Sequence, residues 1–260
     1  MFQIDTNTVL IAALIFMRVG AILFALPVFG DNPTPVQVRI LMALAISFCI
    51  WPLIPTHWHI AIATEPVALA LTVVREITIG LVVGYVARIT FDGIVMAASL
   101  VGYQMGFGTS HLFIPDAGVQ MDGFTAFHRI LVILIFLCLN LHHVFLTALF
   151  DTFKAIPPGA ALPHSTPIAQ LFIEASGQVF STAIQLAAPV LVALMFAMAA
   201  LGLVARAVPQ MNVFVMSFPM SFALGLGVYI ATIPFFPEWM QMNFLHSKET
   251  LHSAIRSMVP

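Results

Sequence analysis

The residues best placed to do chemistry are charges stranded in apolar surroundings. Arg18 lies midway through the apolar run 8–29, and Arg75 and Glu76 are neighbours inside the run 67–88. An arginine at mid-span costs about 2.5–3.5 kcal/mol on insertion scales, against roughly 0.3–0.6 kcal/mol regained by each Leu, Ile, Val or Phe. The run still inserts, but the guanidinium needs a partner. Glu76, Glu174 and the carbonyls at a helix C-terminus are the candidates. The favoured reading is an anchor between helices or subunits; the other is a residue on a transport path. Arg75 and Glu76 point about 100° apart on a helix and do not satisfy each other. A further charge, Arg206, stands between two long stretches without any charge, 175–205 and 207–237. A proton-coupled path wants a line of acids, and only Glu76 and Glu174 lie inside plausible spans. A small-solute secondary transporter is therefore the weaker reading.

Other chemistries find no support. His57-x-His59 and His142-His143 are the close histidine pairs, without H-E-x-x-H spacing or carboxylates in register. The histidines are expected in loops and at interfaces. Cys49 and Cys138 form no C-x-x-C pair and read as small buried hydrophobes. No G-x-S-x-G, P-loop or dinucleotide fingerprint occurs, so no enzyme, cofactor or metal is expected. Nine Lys+Arg against eleven Asp+Glu leave a net charge of −2, which offers no footprint for nucleic acid.

These residues must be held by apolar helices. Hydrophobic residues make up 61% of the chain and charged residues 8%. A soluble domain carries about 25% charged residues, so lipid or partner protein must cover this surface. The expected fold is all-α: an integral membrane protein of about six apolar helical segments arranged as hairpins. Some of these would be buried in a subunit assembly rather than spanning lipid. The segments read as 8–29, 36–54, 67–88, 94–107, 124–150 and a C-terminal hairpin turning at residues 206–212, followed by a weakly amphipathic tail from 239. The first charge is the acid Asp5, and Arg18 interrupts the first run, so the start reads as uncleaved. Gly80 and Gly84 form a small-xxx-small pair that favours close helix packing.

The stretch 106–123 lies between two apolar segments yet carries Phe107, Leu112, Phe113, Ile114 and Met121. Glycines 106, 108, 118 and 123 make it bendable. Irregular backbone at membrane depth is tolerated only inside protein or along a cavity. An internal plug or gate is the favoured reading, and a re-entrant interfacial loop is the other.

Taken together, several motifs resemble the FliR family of flagellar export-apparatus membrane proteins and its injectisome counterparts in type III secretion. They are Arg18-Val-Gly20 with Pro27-Val-Phe-Gly30, Arg75-Glu76-Ile-Thr-Ile-Gly80, Gly102-Tyr-Gln-Met-Gly106, Ala188-Pro189, and Leu201 to Phe214 with Arg206, Pro209, Gln210 and Asn212. The last is the most specific. Where the family often places Leu-Lys after Phe-Pro, this chain has Met220-Ser221. Asn140-Leu-His-His143 and Asp151-Thr-Phe153 lean to the flagellar branch, with injectisome duty the alternative. The resemblance implies one membrane domain, with a FliP-like part over residues 1–165 and a FliQ-like hairpin and tail over 166–260. It implies assembly with FliP- and FliQ-type subunits and an FlhB-type switch protein around a pore for unfolded export substrates. The setting would be the bacterial inner membrane at the flagellar basal body. The loop would help close the pore, with Phe107, Phe113, Ile114 and Met121 as sealing residues and Gly106, Gly108 and Gly118 as flexing points.

Overall fold

The computed structural model describes residues 6–26, 34–53, 65–107, 123–159, 165–208, 210 and 212–257. Every regular element among them is helical. In chain order these are α1 (Thr6–Ala25), α2 (Val36–Ile50), α3 (Pro66–Gln104), α4 (Gly123–Cys138), α5 (His142–Ala155), α6 (Ser165–Ala207), α7 (Val213–Thr232) and α8 (Phe236–Ser257). Short 3-10 turns at Trp51–Leu53 and Ile233–Phe235 follow α2 and α7.

Asn7–Ala25, Pro66–Gln104, Phe172–Ala207 and Val215–His252 are each long and apolar enough to cross a bilayer, and α4 with α5 forms a broken fifth candidate. Between 17% and 39% of the most apolar window of each of the four is buried within the chain. Most of that apolar surface therefore faces outward, where lipid or other subunits must cover it.

Four segments differ from their expected bounds. The runs 67–88 and 94–107 belong to one helix, the 39-residue α3, which passes through Asp92-Gly93 without a break. A helical glycine costs only about 1 kcal/mol relative to alanine. At Gly93 the missing side chain also admits Thr182 and the Val179 carbonyl of α6, which a Cβ would meet at 3.0–3.1 Å. The run 124–150 is not one helix: it breaks between α4 and α5, where Asn140 takes φ 54°. Asparagine enters this left-handed region more readily than other side chains. The tail forms a full helix, α8, whose acidic residue Glu238 sits in the first turn, where it complements the helix dipole.

The chain divides into two compact units. Unit 1 comprises Met1–Phe91, Leu141–Ser176 and Phe244–Pro260; unit 2 comprises Asp92–Asn140 and Gly177–Asn243. In unit 1, Leu14, Ile15, Val19 and Ile22 of α1 are buried on one helical face, with Ile79, Val82, Val83 and Val86 of α3 also in the core. The Tyr85 hydroxyl lies 3.1 Å from Ser176 Oγ, and Thr90 Oγ1 lies 2.6 Å from Ser247 Oγ. The core of unit 2 is built from Ala97, Ala98, Val101, Met105, Phe124, Ala183, Ala187, Val190, Leu194 and Tyr229. Alanine dominates it, which lets the helix backbones come close.

Candidate functional site

In unit 1 the buried face of α1 that carries Leu14, Ile15, Val19 and Ile22 also carries Arg18, which is 0% exposed. The guanidinium reaches two other parts of the unit, α3 and the end of α5. Its Nε donates to Glu76 Oε2 of α3 at 2.6 Å. Its Nη1 donates to the carbonyls of Thr152 at 3.2 Å and Ile156 at 2.9 Å. Those carbonyls lie at the C-terminus of α5, where the dipole end is negative, and the Thr152 carbonyl also accepts the Ile156 N–H at 2.9 Å. The Phe153 ring covers the guanidinium at 4.4 Å. Glu76, itself 1% exposed, uses its second oxygen to accept the Gly159 N–H at 2.8 Å. Gly159 sits at φ 82° in the turn that follows α5.

Glycine sets the reach. A Cβ on Gly80 would lie 2.6 Å from the Arg18 carbonyl oxygen and 2.7 Å from the Ala21 side chain. One on Gly84 would strike Ala25. α1 and α3 therefore cross almost backbone to backbone, and Glu76 lies one turn before Gly80 on α3. Of the three partners foreseen for Arg18, two are used together: Glu76 and the helix-end carbonyls. Glu174 is exposed. Arg75, beside Glu76, is half-buried. A buried charge pair is expensive to desolvate and holds only when its remaining lone pairs and protons are satisfied. Here the carboxylate uses both oxygens, and the guanidinium joins α1 to α3 and α5, while its buried Nη2 has no hydrogen-bond partner among the described residues. The arrangement can carry force between helices, and none of its groups is a free nucleophile or base.

In unit 2, α3 ends at Gln104 and Gly106 turns the chain with φ 95°, a conformation that suits glycine. Phe107 follows, its ring centroid 5.8 Å from Phe124 of α4 and 5.6 Å from Phe222 of α7. The aromatic contacts continue through Tyr229, edge-on to Phe124 at 4.9 Å, to His128, whose ring meets Phe236 at 5.2 Å. The first two residues of the expected plug loop are thus seated against two helices. Gly108, Phe113, Ile114, Gly118 and Met121 lie outside the described residues.

The C-terminal motif occupies the turn between α6 and α7. Arg206 is exposed in the last turn of α6, where a cation complements the dipole. Gln210 is exposed. Asn212 caps α7, its side-chain oxygen accepting the Val215 N–H at 3.4 Å. Phe214 lies in the first turn of α7, and Pro209 lies outside the described residues.

His128 corrects the expectation that histidines lie in loops and at interfaces. It is 2% exposed inside α4, and its Nδ1 is 2.7 Å from the Tyr229 hydroxyl. The signal was in the spacing. Phe124, His128, Val132 and Phe136 recur every four residues and are all buried, so His128 sits in the middle of an apolar helical stripe.

Apolar helices of bilayer-crossing length, with buried charge held between them, define a helical membrane protein whose distinctive sites join helices. Residues 9–247 match the family described as bacterial export proteins, family 1. The chain belongs to that family, and its curated relatives are flagellar biosynthetic FliR proteins. It is 30% identical to flagellar biosynthetic protein FliR of Bacillus subtilis over 219 residues, 84% of this chain and 83% of the relative. It is 30% identical to FliR of Caulobacter vibrioides over 220 residues, 85% and 87% of the two chains. With FliR of Aquifex aeolicus the identity is 27% over 247 residues, 94% and 93%. The chain is accordingly a membrane component of the flagellar type III export apparatus.

Proposed function

We propose that the chain is a structural subunit of the export gate. In this reading it assembles with FliP- and FliQ-type subunits, alongside an FlhB-type switch protein, into a closed pore for unfolded export substrates in the inner membrane at the basal body. Residues 1–165 would form the FliP-like part and 166–260 the FliQ-like part. The loop 106–123 closes the pore. Its apolar residues Phe107, Phe113, Ile114 and Met121 exclude water and ions at rest, as hydrophobic constrictions do by dewetting. Gly106, Gly108 and Gly118 let it swing aside when a chain arrives. The gate is passive, with the driving energy supplied elsewhere in the apparatus.

The observation that carries this reading is the seating of Phe107 between Phe124 and Phe222. A plug needs a fixed stem and a movable remainder, and the left-handed turn at Gly106 followed by an aromatic anchor supplies the stem. Arg18, Arg75, Glu76 and Arg206 serve in this reading as anchors between helices and subunits, and Pro209, Gln210, Asn212 and Phe214 shape the turn of the C-terminal hairpin. The test is replacement of residues 108–122 by a short Gly-Ser linker, leaving Gly106 and Phe107 in place. Ion leak through the assembled complex in liposomes is then compared with wild type. A rise in leak with the complex intact is expected; unchanged leak overturns the plug assignment.

A further inference from the structure

We infer that α7 is the catch that holds the stem of the loop: Phe218, Phe222 and Gly225 seat residues 105–107, and α7 releases them by bending at Pro219. The inference rests on the reading of loop 106–123 as a plug, and says how that plug is held and let go.

Three successive stem residues each meet α7. Gly225 is a notch for Met105, which is 0% exposed: a Cβ on Gly225 would lie 2.6 Å from Met105 Cγ. The Phe218 ring lies over Gly106, where a Cβ would be 2.8 Å from Phe218 Cδ2. Phe107 meets Phe222 with 5.6 Å between ring centroids. Positions 218, 222 and 225 follow the i, i+4, i+7 spacing of one helical face. The stem itself is held by backbone bonds that can be followed. The Met105 N–H donates to the Val101 carbonyl at 2.9 Å, and the Gly106 N–H to that of Tyr103 at 3.1 Å.

The two parts of α7 are held differently. From Ser221 onward every fourth residue is buried: Ser221, Gly225 and Tyr229. Between Val215 and Met220 no residue is buried. Pro219 stands near that boundary, inside the helix. It has no N–H to give the Val215 carbonyl, and its ring crowds that carbonyl, so the helix is weakest there. Ser221 adds to this weakness. Its Oγ donates to the Ser217 carbonyl at 2.7 Å, a back-bond that bends helices. The weak turn therefore falls between Phe218 and Phe222. Bending there carries the exposed first part of α7, with Phe218, away from Gly106, while the buried part keeps Gly225. That first part continues from the turn between α6 and α7, so displacement of the turn reaches the stem.

The test uses the full-length protein in its export complex, reconstituted in liposomes. Amide hydrogen exchange, read by mass spectrometry over residues 101–107 and 215–224, follows the stem and the weak turn directly. Ion leak follows the plug. Phe222→Ala should speed exchange of the Met105 and Gly106 amides about two- to ten-fold, the worth of one aromatic pair, and raise the leak. Pro219→Ala supplies the missing N–H. It should slow exchange over 220–224 by about ten-fold, slow the stem amides with it, leave the leak at or below wild type and reduce secretion of export substrates. Gly227→Ala, whose new Cβ meets nothing within 4 Å, should leave stem exchange and leak as in the wild type. Stem exchange unmoved by Phe222→Ala overturns the catch, whatever the leak shows. Exchange over 220–224 unmoved by Pro219→Ala, or slowed there without slowing the stem, overturns release by bending. If the stem amides follow both variants while neither Phe222→Ala nor the Gly-Ser replacement of 108–122 raises the leak, the catch stands and the plug reading falls.

Discussion

The two units handle a polar group in apolar surroundings in opposite ways. In unit 1 a full charge is buried at Arg18 and held by Glu76, two carbonyls at the end of α5 and the Phe153 ring. In unit 2 the buried group is a ring, His128, held by one hydroxyl and surrounded by aromatic faces. In the first arrangement both carboxylate oxygens are used, the Arg18 Nη2 is left without a hydrogen-bond partner among the described residues, and the α1–α3 crossing at Gly80 leaves no room for a side chain. In the second a cavity lies beside the ring, and Nε2 is covered and has no hydrogen-bond partner among the described residues. A charge network shared by three helices ties them together; a ring held by one hydroxyl packs among aromatic neighbours. Unit 1 therefore reads as a frame built on charge, and unit 2 as an aromatic core around Phe107, Phe124 and His128.

The contrast predicts very different responses to losing one partner. Glu76→Ala strands Arg18 in the core, and Arg18→Ala strands Glu76. Removing one member of a buried pair costs about 3–5 kcal/mol. Each variant should lower the amount of folded protein in the membrane and the midpoint of its unfolding in mild detergent, with loss of motility following from loss of protein. A double replacement, Arg18→Met with Glu76→Leu, should recover part of that stability. The recovery should stay incomplete, because the Gly159 N–H and the Ile156 carbonyl still lose the partners they have in Glu76 and Arg18. If the single variants accumulate and unfold like wild type, unit 1 is not held by its charge network and the comparison fails.

Gly80→Leu tests the crossing rather than the charges. The new side chain meets the Arg18 backbone oxygen, which cannot move aside as a flexible side chain does. Overpacking of this kind costs about 1–3 kcal/mol, read as a lower unfolding midpoint. Gly20, on the same helix as Arg18, has no atom within 4 Å of an added Cβ, so Gly20→Ala should be neutral or slightly stabilising in the same assay.

The network in unit 1 was half visible from sequence. A mid-run arginine demands a partner, and the few acids inside apolar runs made Glu76 a candidate. That the end of α5 would supply the remaining acceptors was foreseeable as a type of partner. Thr152 and Ile156 themselves were not, because 134 and 138 residues separate them from Arg18 and local pattern carries no such pairing. The buried ring in unit 2 was missed for a different reason. Histidine is polar by composition, so a count of pairs and motifs set His128 aside, whereas the four-residue recurrence of buried positions in α4 marked it as interior. The breaks were misplaced where propensity was weighed without packing. Gly93 looks like a helix end until Thr182 fills the space beside it, and Asn140 looks like one polar residue in a long run until its backbone turns left-handed.

Asn140 gives the next smaller effect. Its φ of 54° costs a side chain other than glycine or asparagine roughly 1–2 kcal/mol. Asn140→Ala should therefore destabilise by about 1 kcal/mol, the asparagine itself already bearing part of that strain, and Asn140→Gly should be neutral. Equal unfolding midpoints for the two variants would show that the break between α4 and α5 is set by the flanking helices and not by this residue.

The smallest effect is expected at His128, and it sharpens the comparison most. His128→Phe keeps a flat ring among Phe124, Tyr229 and Phe236 while removing both nitrogens. One hydrogen bond is lost, worth about 0.5–1.5 kcal/mol net. The unmet Nε2 disappears at the same time, and that gain offsets the loss. Tyr229, 8% exposed, is left with an unpaired hydroxyl, so the balance should be a destabilisation below about 1 kcal/mol. Tyr229→Phe combined with His128→Phe should return the midpoint to wild type or above it, since replacing both partners of a buried hydrogen bond by apolar groups of similar shape is nearly neutral. The equivalent double replacement in unit 1 cannot do so, because its network extends into the backbone of α5. A double variant in unit 2 that unfolds as easily as Glu76→Ala would mean that His128 holds its unit together as Arg18 does, and the distinction between charged frame and aromatic core would be lost.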